Sequence, residues 1–274
     1  MALAPVRPAA VAGFFYPADH RVLRTQIAEL LSAAIGLETM MTPRAIIVPH
    51  AGYIYSGPVA ATAYAGLARL HDRIRRVILL GPAHRVPVAA FALPAAQAFS
   101  TPLGKVNIRQ QDWLALQARA DVVVDDRPHA QEHSLEVQLP FLQTVLDSFE
   151  LLPVLVGNAS DEAVAELLES LWGGPETLIV ISSDLSHFHS YREAVALDRS
   201  SVNRLLTLDA ALDHEQACGA TPINGLLRLA RRHGLQAQLL DLRNSGDTAG
   251  PRDSVVGYAS IAFYEPFADE SRKH

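Results

Sequence analysis

Short, nearly uninterrupted apolar runs recur along the chain at Ala45–Val48, Val77–Leu80, Val122–Val124, Leu151–Val156 and Leu178–Ile181. Runs this short with few interior polar residues predict strands buried on both faces. Between them, Pro58–Leu70, Glu132–Leu146, Asp161–Leu171, Tyr191–Leu206 and Pro222–Arg232 place apolar residues at three- and four-residue intervals, which predicts helices with one face turned inward. Pro58 reads as a first-turn proline, and Asp161 after Ser160 as a capped start. Strands alternating with helices predict an α/β fold with a mostly parallel central sheet flanked by helices. From Leu239 to Phe263 the pattern changes to two extended runs around the loop Asn244 to Pro251, which predicts a hairpin closing the sheet. No linker, low-complexity tract or repeat interrupts the chain, so a single domain is expected over residues 1–274, with its core at about 10–265.

Composition narrows the function classes. The 274 residues include 23 Lys and Arg against 29 Asp and Glu, a formal net charge of 23 − 29 = −6. That balance gives no electrostatic footprint for a phosphate backbone, so no nucleic-acid partner is expected. A lone cysteine, Cys218, rules out a disulfide framework or a cysteine-ligated cluster within one chain and points to a reducing compartment. The first thirty residues hold Pro5, Pro8, Pro17 and Asp19 with no long apolar run, so neither a signal peptide nor a membrane span is indicated and the expected location is cytoplasmic. The outlying number is 11 histidines, because imidazole is the common transition-metal ligand and the common proton carrier near neutral pH.

Three apolar strands end in similar polar motifs, carrying His50, His84, and Asp184 with His187. Carboxyl ends of parallel strands line one crevice, so these endings predict a shared metal or catalytic cluster. Gly52 and Gly81 would allow close backbone approach or a positive φ beside them. A lone histidine after a strand is otherwise an ordinary capping or solvent residue. Cys218, in Gln216-Ala-Cys-Gly-Ala-Thr-Pro222, reads equally as a small buried hydrophobe or as a thiolate ligand or nucleophile near a helix start. In His129-Ala-Gln-Glu132-His133-Ser-Leu-Glu136 the four ionisable side chains share a face if the segment is helical. The spacing matches the H-x-x-E-H pattern of inverted zinc peptidases, but Pro128 puts the first histidine at a helix entrance rather than inside a helix. An acidic first turn with exposed histidines is the plainer reading, and His133 turned into the crevice as a substrate contact is the intermediate one. Tyr53 and Tyr55 either line the crevice or pack beside it.

Six ordered motifs together carry a resemblance: Pro49-His-Ala-Gly-Tyr53, Leu80-Gly-Pro-Ala-His84, Glu132-His-Ser-Leu-Glu136 with Leu139-Pro140, Ser182-Ser-Asp-Leu-Ser-His187, Ala217-Cys-Gly219 and Asn244-Ser-Gly-Asp247. The chain resembles the Memo-like family, also called AmmeMemoRadiSam system protein B, from about Ala10 to Glu265. That family is similar in fold to the class III, LigB-type extradiol dioxygenases, whose non-haem Fe(II) is held by two histidines and a glutamate. The resemblance implies His50, His84 and Cys218 as metal ligands, His187 as an acid/base histidine with Asp184 beside it, and His133 as a substrate contact; Tyr55, by its place just after His50, is a further substrate-contact candidate on the crevice wall. The family name implies a functional link to a radical-SAM protein.

Sulfur in place of carboxylate softens the site and favours copper or a redox-active iron; iron is expected first and copper second, and dioxygenase activity does not follow from fold alone. The leading expectation is a mononuclear metal-dependent redox protein acting on a small molecule, with His187 moving a proton. The rivals are a metal-free hydrolase with Cys218 as nucleophile and His187 as base, and a binding or scaffold protein that keeps a vestigial pocket.

Overall fold

The computed structural model describes residues 5–34 and 42–266. In chain order its strands are β1 (Val6–Arg7), β2 (Pro43–Val48), β3 (Arg76–Pro82), β4 (Phe91–Leu93), β5 (Ala98–Thr101), β6 (Gly104–Asn107), β7 (Val122–Val124), β8 (Glu150–Val156), β9 (Thr177–Ser182), β10 (His187–His189), β11 (Gln236–Asn244) and β12 (Val255–Tyr264). Its α-helices are α1 (His20–Ala33), α2 (Tyr53–Ala65), α3 (Gln110–Gln117), α4 (Asp126–Ala130), α5 (Leu139–Val145), α6 (Asp161–Ser170), α7 (Tyr191–Leu206) and α8 (Ala220–Arg232). None of the described helices is long and apolar enough to cross a membrane.

Nine strands form the main sheet in the order β10-β12-β2-β9-β3-β8-β4-β7, with β11 paired to β12. The central strands β2, β9, β3 and β8 run parallel. Antiparallel pairs flank them on both sides, so the sheet as a whole is mixed. The predicted tail hairpin is present as β11 and β12, and β12 lies against β2 inside the sheet.

Alternate residues on the central strands feed two separate cores. Ile46, Val48, Val77 and Leu79 pack under α1, α2 and α5, while Ala45, Ile47, Ile78 and Leu80 pack under α6, α7 and α8. Burial on both faces explains why these strands read as continuous apolar runs. The Val122 strand departs from that expectation: β7 is an edge strand, and its Val123 and Val124 face solvent.

Two predicted helices change their limits. The helix assigned to Pro58 starts at Tyr53, leaving Pro58 inside it, because the chain leaving β2 is caught early by a hydrogen bond from Tyr53 N to the Phe15 carbonyl at 2.8 Å. The helix expected over Glu132–Leu146 begins instead with an irregular stretch after α4, followed by a short 3₁₀ turn over Glu136–Gln138 and then α5. The break follows from competition for the backbone: the Glu132 carboxylate accepts from the N–H groups of His84, His133 and Ser134 at 2.6, 2.9 and 3.0 Å, which holds the chain in a loop.

Candidate functional site

Strand register builds the first half of the site. Val48 is paired with Ser182 across β2 and β9, so residues two steps beyond each strand are level. His50 N accordingly donates to Asp184 Oδ1 at 2.7 Å, and Ser183 N donates to the Val48 carbonyl at 2.9 Å. Strand β3 runs parallel on the other side of β9 and carries His84 just past its end.

The second half crosses over those ends. The Ser134 hydroxyl donates to the Pro82 carbonyl at 2.9 Å, drawing the loop with His133 over β3. Gly81 permits this approach, since a Cβ there would stand 2.8 Å from Ser134 Oγ; Gly52, predicted for the same reason, has ordinary room, and neither glycine has a positive φ. On the far side, Gly219 N donates to Ser183 Oγ at 2.9 Å and seats Cys218 against the end of β9.

Three imidazoles converge there. Among the described residues, one nitrogen from each of His50, His84 and His133 lies within 4.8 Å of the other two. The His84 and His133 rings stack at 4.8 Å between centroids, and His50 meets them edge-on at 5.2 and 5.3 Å. Cys218 Sγ stands beside them, 3.3 Å from His50 Nε2. His187 lies outside the trio, half-buried on β10, close enough for its charge to bear on His50. Tyr55 is exposed on the first turn of α2, whereas Tyr53 is buried and donates its hydroxyl to the Val137 carbonyl at 2.7 Å. His129 is turned away and bonded through Nε2 to the Ala92 carbonyl at 3.1 Å, so the peptidase spacing does not assemble a site.

Hydrogen-bond accounting fixes two ring orientations. Ser182 Oγ gives its single proton to the Ser134 carbonyl and accepts from Gln138 Nε2 at 2.8 Å, so its 3.0 Å contact to His50 requires Nδ1–H of His50 as donor. The Nε2 lone pair of His50 is thereby left free toward Cys218. Likewise the Glu132 carboxylate can only accept, so His84 Nδ1–H donates to Oε1 at 2.9 Å and the Nε2 lone pair of His84 is free. A carboxylate behind a histidine is the usual support of a metal-ligating imidazole. His133 Nδ1 is buried 3.3 Å from Glu132 Oε1 with no hydrogen bond, an orphaned ring nitrogen of the kind a cation would satisfy.

The electrostatics agree with that donor set. Burial, then repulsion from His133 and His84, pushes the His50 pKa well below its ordinary value. Burial brings His133 to about 4 despite the Glu132 charge. Both rings are therefore neutral near pH 7, the form that binds metal. Burial works to raise the Glu132 carboxyl, but its hydrogen bond and charge contact with His84 and the bonds from backbone N–H groups outweigh it and hold the pKa at about 2. Burial raises Asp184 to about 7 against the N–H groups of His50 and Ala51. Burial and the Asp184 charge push the Cys218 thiol to about 12, so it is protonated unless a cation draws the proton off. Imidazole nitrogens sharing one ion stand about 3–4 Å apart given metal–nitrogen bonds of about 2.0–2.1 Å, so small ring rotations suffice to close the trio.

Two parts of the site were not read from the sequence. The plainer sequence reading of Glu132 is a first-turn acid, and the chain Tyr64 to Gln138 to Ser182 behind His50 carries no spacing signal. The pairing of an acid with the next-residue histidine was the available clue.

The Memo family, described as Memo-like protein, matches residues 7–262. A MEMO1 family protein of Sulfolobus acidocaldarius is 33% identical over 282 residues, covering 94% of this chain and 99% of that protein. A MEMO1 family protein of Saccharolobus islandicus is 35% identical over 285 residues, covering 93% of this chain and 98% of its own. One from Pyrobaculum arsenaticum is 34% identical over 282 residues, with 94% and 99% covered.

Proposed function

We propose that this chain, which belongs to the Memo-like family, is a mononuclear metal-dependent redox protein of dioxygenase-like type, acting on a small molecule in a reducing cytoplasm. The observation that carries the reading is the convergence of three imidazoles from three separate segments, two of them turned by fixed hydrogen bonds so that a lone pair faces inward. Iron is the first candidate and copper the second, since imidazole suits both and a sulfur donor moves the preference toward copper. When bound, such an ion supplies Lewis acidity and one-electron exchange.

The protein's own groups then have distinct tasks. His50 and His84 hold position through Ser182 and Glu132. Either Cys218 or His133 completes the set; the family resemblance favours the sulfur, and the spacing of the ring nitrogens favours His133. Cys218 has to give up its proton to bind, so uptake through sulfur releases a proton that uptake through His133 does not. His187, half-buried and with its pKa lowered chiefly by burial, is placed to take a proton from substrate or return it. Asp184, bonded to the His50 N–H, supports that side of the crevice.

A metal-free thiol nucleophile has one observation in its favour, the 3.3 Å approach of Cys218 Sγ to a free Nε2 lone pair of His50. The imidazole at that distance is His50 rather than His187, the base expected from the sequence, and the thiol's raised pKa opposes ready ionisation.

The test is metal analysis of protein purified without a histidine tag. One equivalent of iron or copper is expected, lost in His50→Ala. Cys218→Ser and His133→Ala separate the donor sets, with sulfur-to-metal charge transfer in the near ultraviolet as the signature of the thiolate. Metal uptake unchanged by His50→Ala would overturn the reading.

A further inference from the structure

A cleft of about 600 Å³ opens beside Phe15, and its chemistry is one-sided. Ala10, Val11, Phe14, Phe15 and Val86 supply apolar wall, Gln131 one neutral polar edge, and Arg85 and Arg127 two cations; no acidic side chain lines it. The wall is shared with the imidazole site, because the Phe15 ring lies 4.6 Å from that of His133.

The two arginines are not equivalent. Arg127 is saturated by Asp125, with Nε at 3.0 and 2.9 Å from the two carboxylate oxygens and Nη2 at 2.6 Å from one of them. Arg85 makes no ion pair or side-chain hydrogen bond among the described residues. Its backbone neighbour is rigid, since His84 N is anchored on Glu132 Oε2 at 2.6 Å. Phe14 is 88% exposed and held outward by a tight turn in which Gly13 has a φ of +85°, a conformation that favours glycine. A planar, five-donor cation without an ion pair, in a cleft walled by an exposed phenyl ring and a half-buried one, is matched by a planar anion carried on a flat apolar body.

We propose that this cleft binds an aryl carboxylate, with the carboxylate on Arg85 and the ring against Phe14 and Phe15. That this ligand is the substrate rests on the metal reading above; that the cleft binds it does not. A free carboxylate of this size fits a site of about 300–1,000 Å³, the usual range for small-molecule pockets.

The experiment is titration of the full-length protein, as purified, with benzoate, benzamide and phenyl phosphate, followed by calorimetry and by amide shifts. Benzoate is expected to bind and to move the amides of residues 10–15, 85–86 and 131. Arg85→Gln is expected to weaken benzoate about tenfold, the equivalent of about 1.4 kcal/mol, while leaving benzamide unchanged, which also reports that the variant is folded. Arg85→Lys should fall between, because it keeps the charge and loses the fork. Equal binding of benzoate and benzamide, an unaltered benzoate affinity in Arg85→Gln, or no binding by the wild-type protein would overturn the proposal. Phenyl phosphate binding more tightly than benzoate would overturn the carboxylate assignment. The titration reads Arg85 and not metal content, so failure of the metal analysis leaves its outcome intact.

Discussion

Glu132 shows how one side chain sets both a backbone path and an imidazole tautomer. It accepts from His84 Nδ1 and from three backbone N–H groups, which is close to the capacity of a carboxylate. Glu132→Gln keeps the shape but replaces an acceptor pair with a donor and an acceptor, so His84 loses a fixed Nδ1–H partner and the loop loses an anchor. Metal affinity is expected to fall about 10–100-fold, as for other supports behind a ligating histidine, with the competition for metal against a chromophoric chelator as the measurement. An affinity within twofold of wild type would show that Glu132 holds the loop and not the ligand. The sign of its pH effect follows from a pKa lowered to about 2: the stabilisation is complete above the ordinary carboxyl value and is lost as pH falls through 2.

At the scale of elements, Asp198 on α7 has the opposite sign. Its Oδ1 accepts from Ser186 N at 3.1 Å, fastening the segment between Asp184 and His187 to the helix, and a Cβ at Gly257 on β12 would stand 2.0 Å from its carboxylate, so the three elements meet without space. Burial raises it to about 6 against the bonds from Ser186. A carboxyl whose folded pKa lies above its unfolded value contributes stability below the unfolded pKa, here about 4, and loses that contribution as pH rises through 6. A shift of about two units amounts to about 3 kcal/mol. With the other titrating groups common to both proteins, the stability of wild type relative to Asp198→Asn, read from urea midpoints, should therefore fall between about pH 4 and 7; parallel profiles would refute the assignment. Element type was legible where apolar period decided it: α7 has the limits the pattern predicts, and β9 and β8 match within one residue. It was illegible where a side chain captured the backbone. Glu132 broke a helix that periodicity alone would continue, and the early catch of Tyr53 by Phe15 made Pro58 an interior residue. The strand-end histidines were readable because parallel strands align their ends; His133 was readable as a crevice residue but not as a partner of His50 and His84, because nothing in local spacing records a loop crossing three strands.

For the whole molecule, the chain's beginning is what closes the site from outside. Arg7 and Glu136 form a buried ion pair far apart in sequence, with Arg7 also donating to the carbonyls of His129 at 3.0 Å and Glu132 at 2.6 Å. Glu136 further accepts from Ala10 N at 2.8 Å, Val11 N at 3.0 Å and the Tyr16 hydroxyl at 2.5 Å. One carboxylate thus fixes the segment that places Phe15 on His133 and forms one wall of the cleft. Removing its charge leaves the Arg7 guanidinium buried and unpaired, which costs about 3–5 kcal/mol. In a chain of this size Glu136→Gln should lower Tm by about 10 °C. The effect should also be local: amide exchange at Ala10 and Val11 should accelerate well beyond that of β9, and benzoate affinity should drop with it, because both depend on the same anchored segment. Exchange that rises uniformly across the sheet would mean that Glu136 contributes only to global stability, and the coupling between the amino-terminal segment and the imidazole site would have to be abandoned.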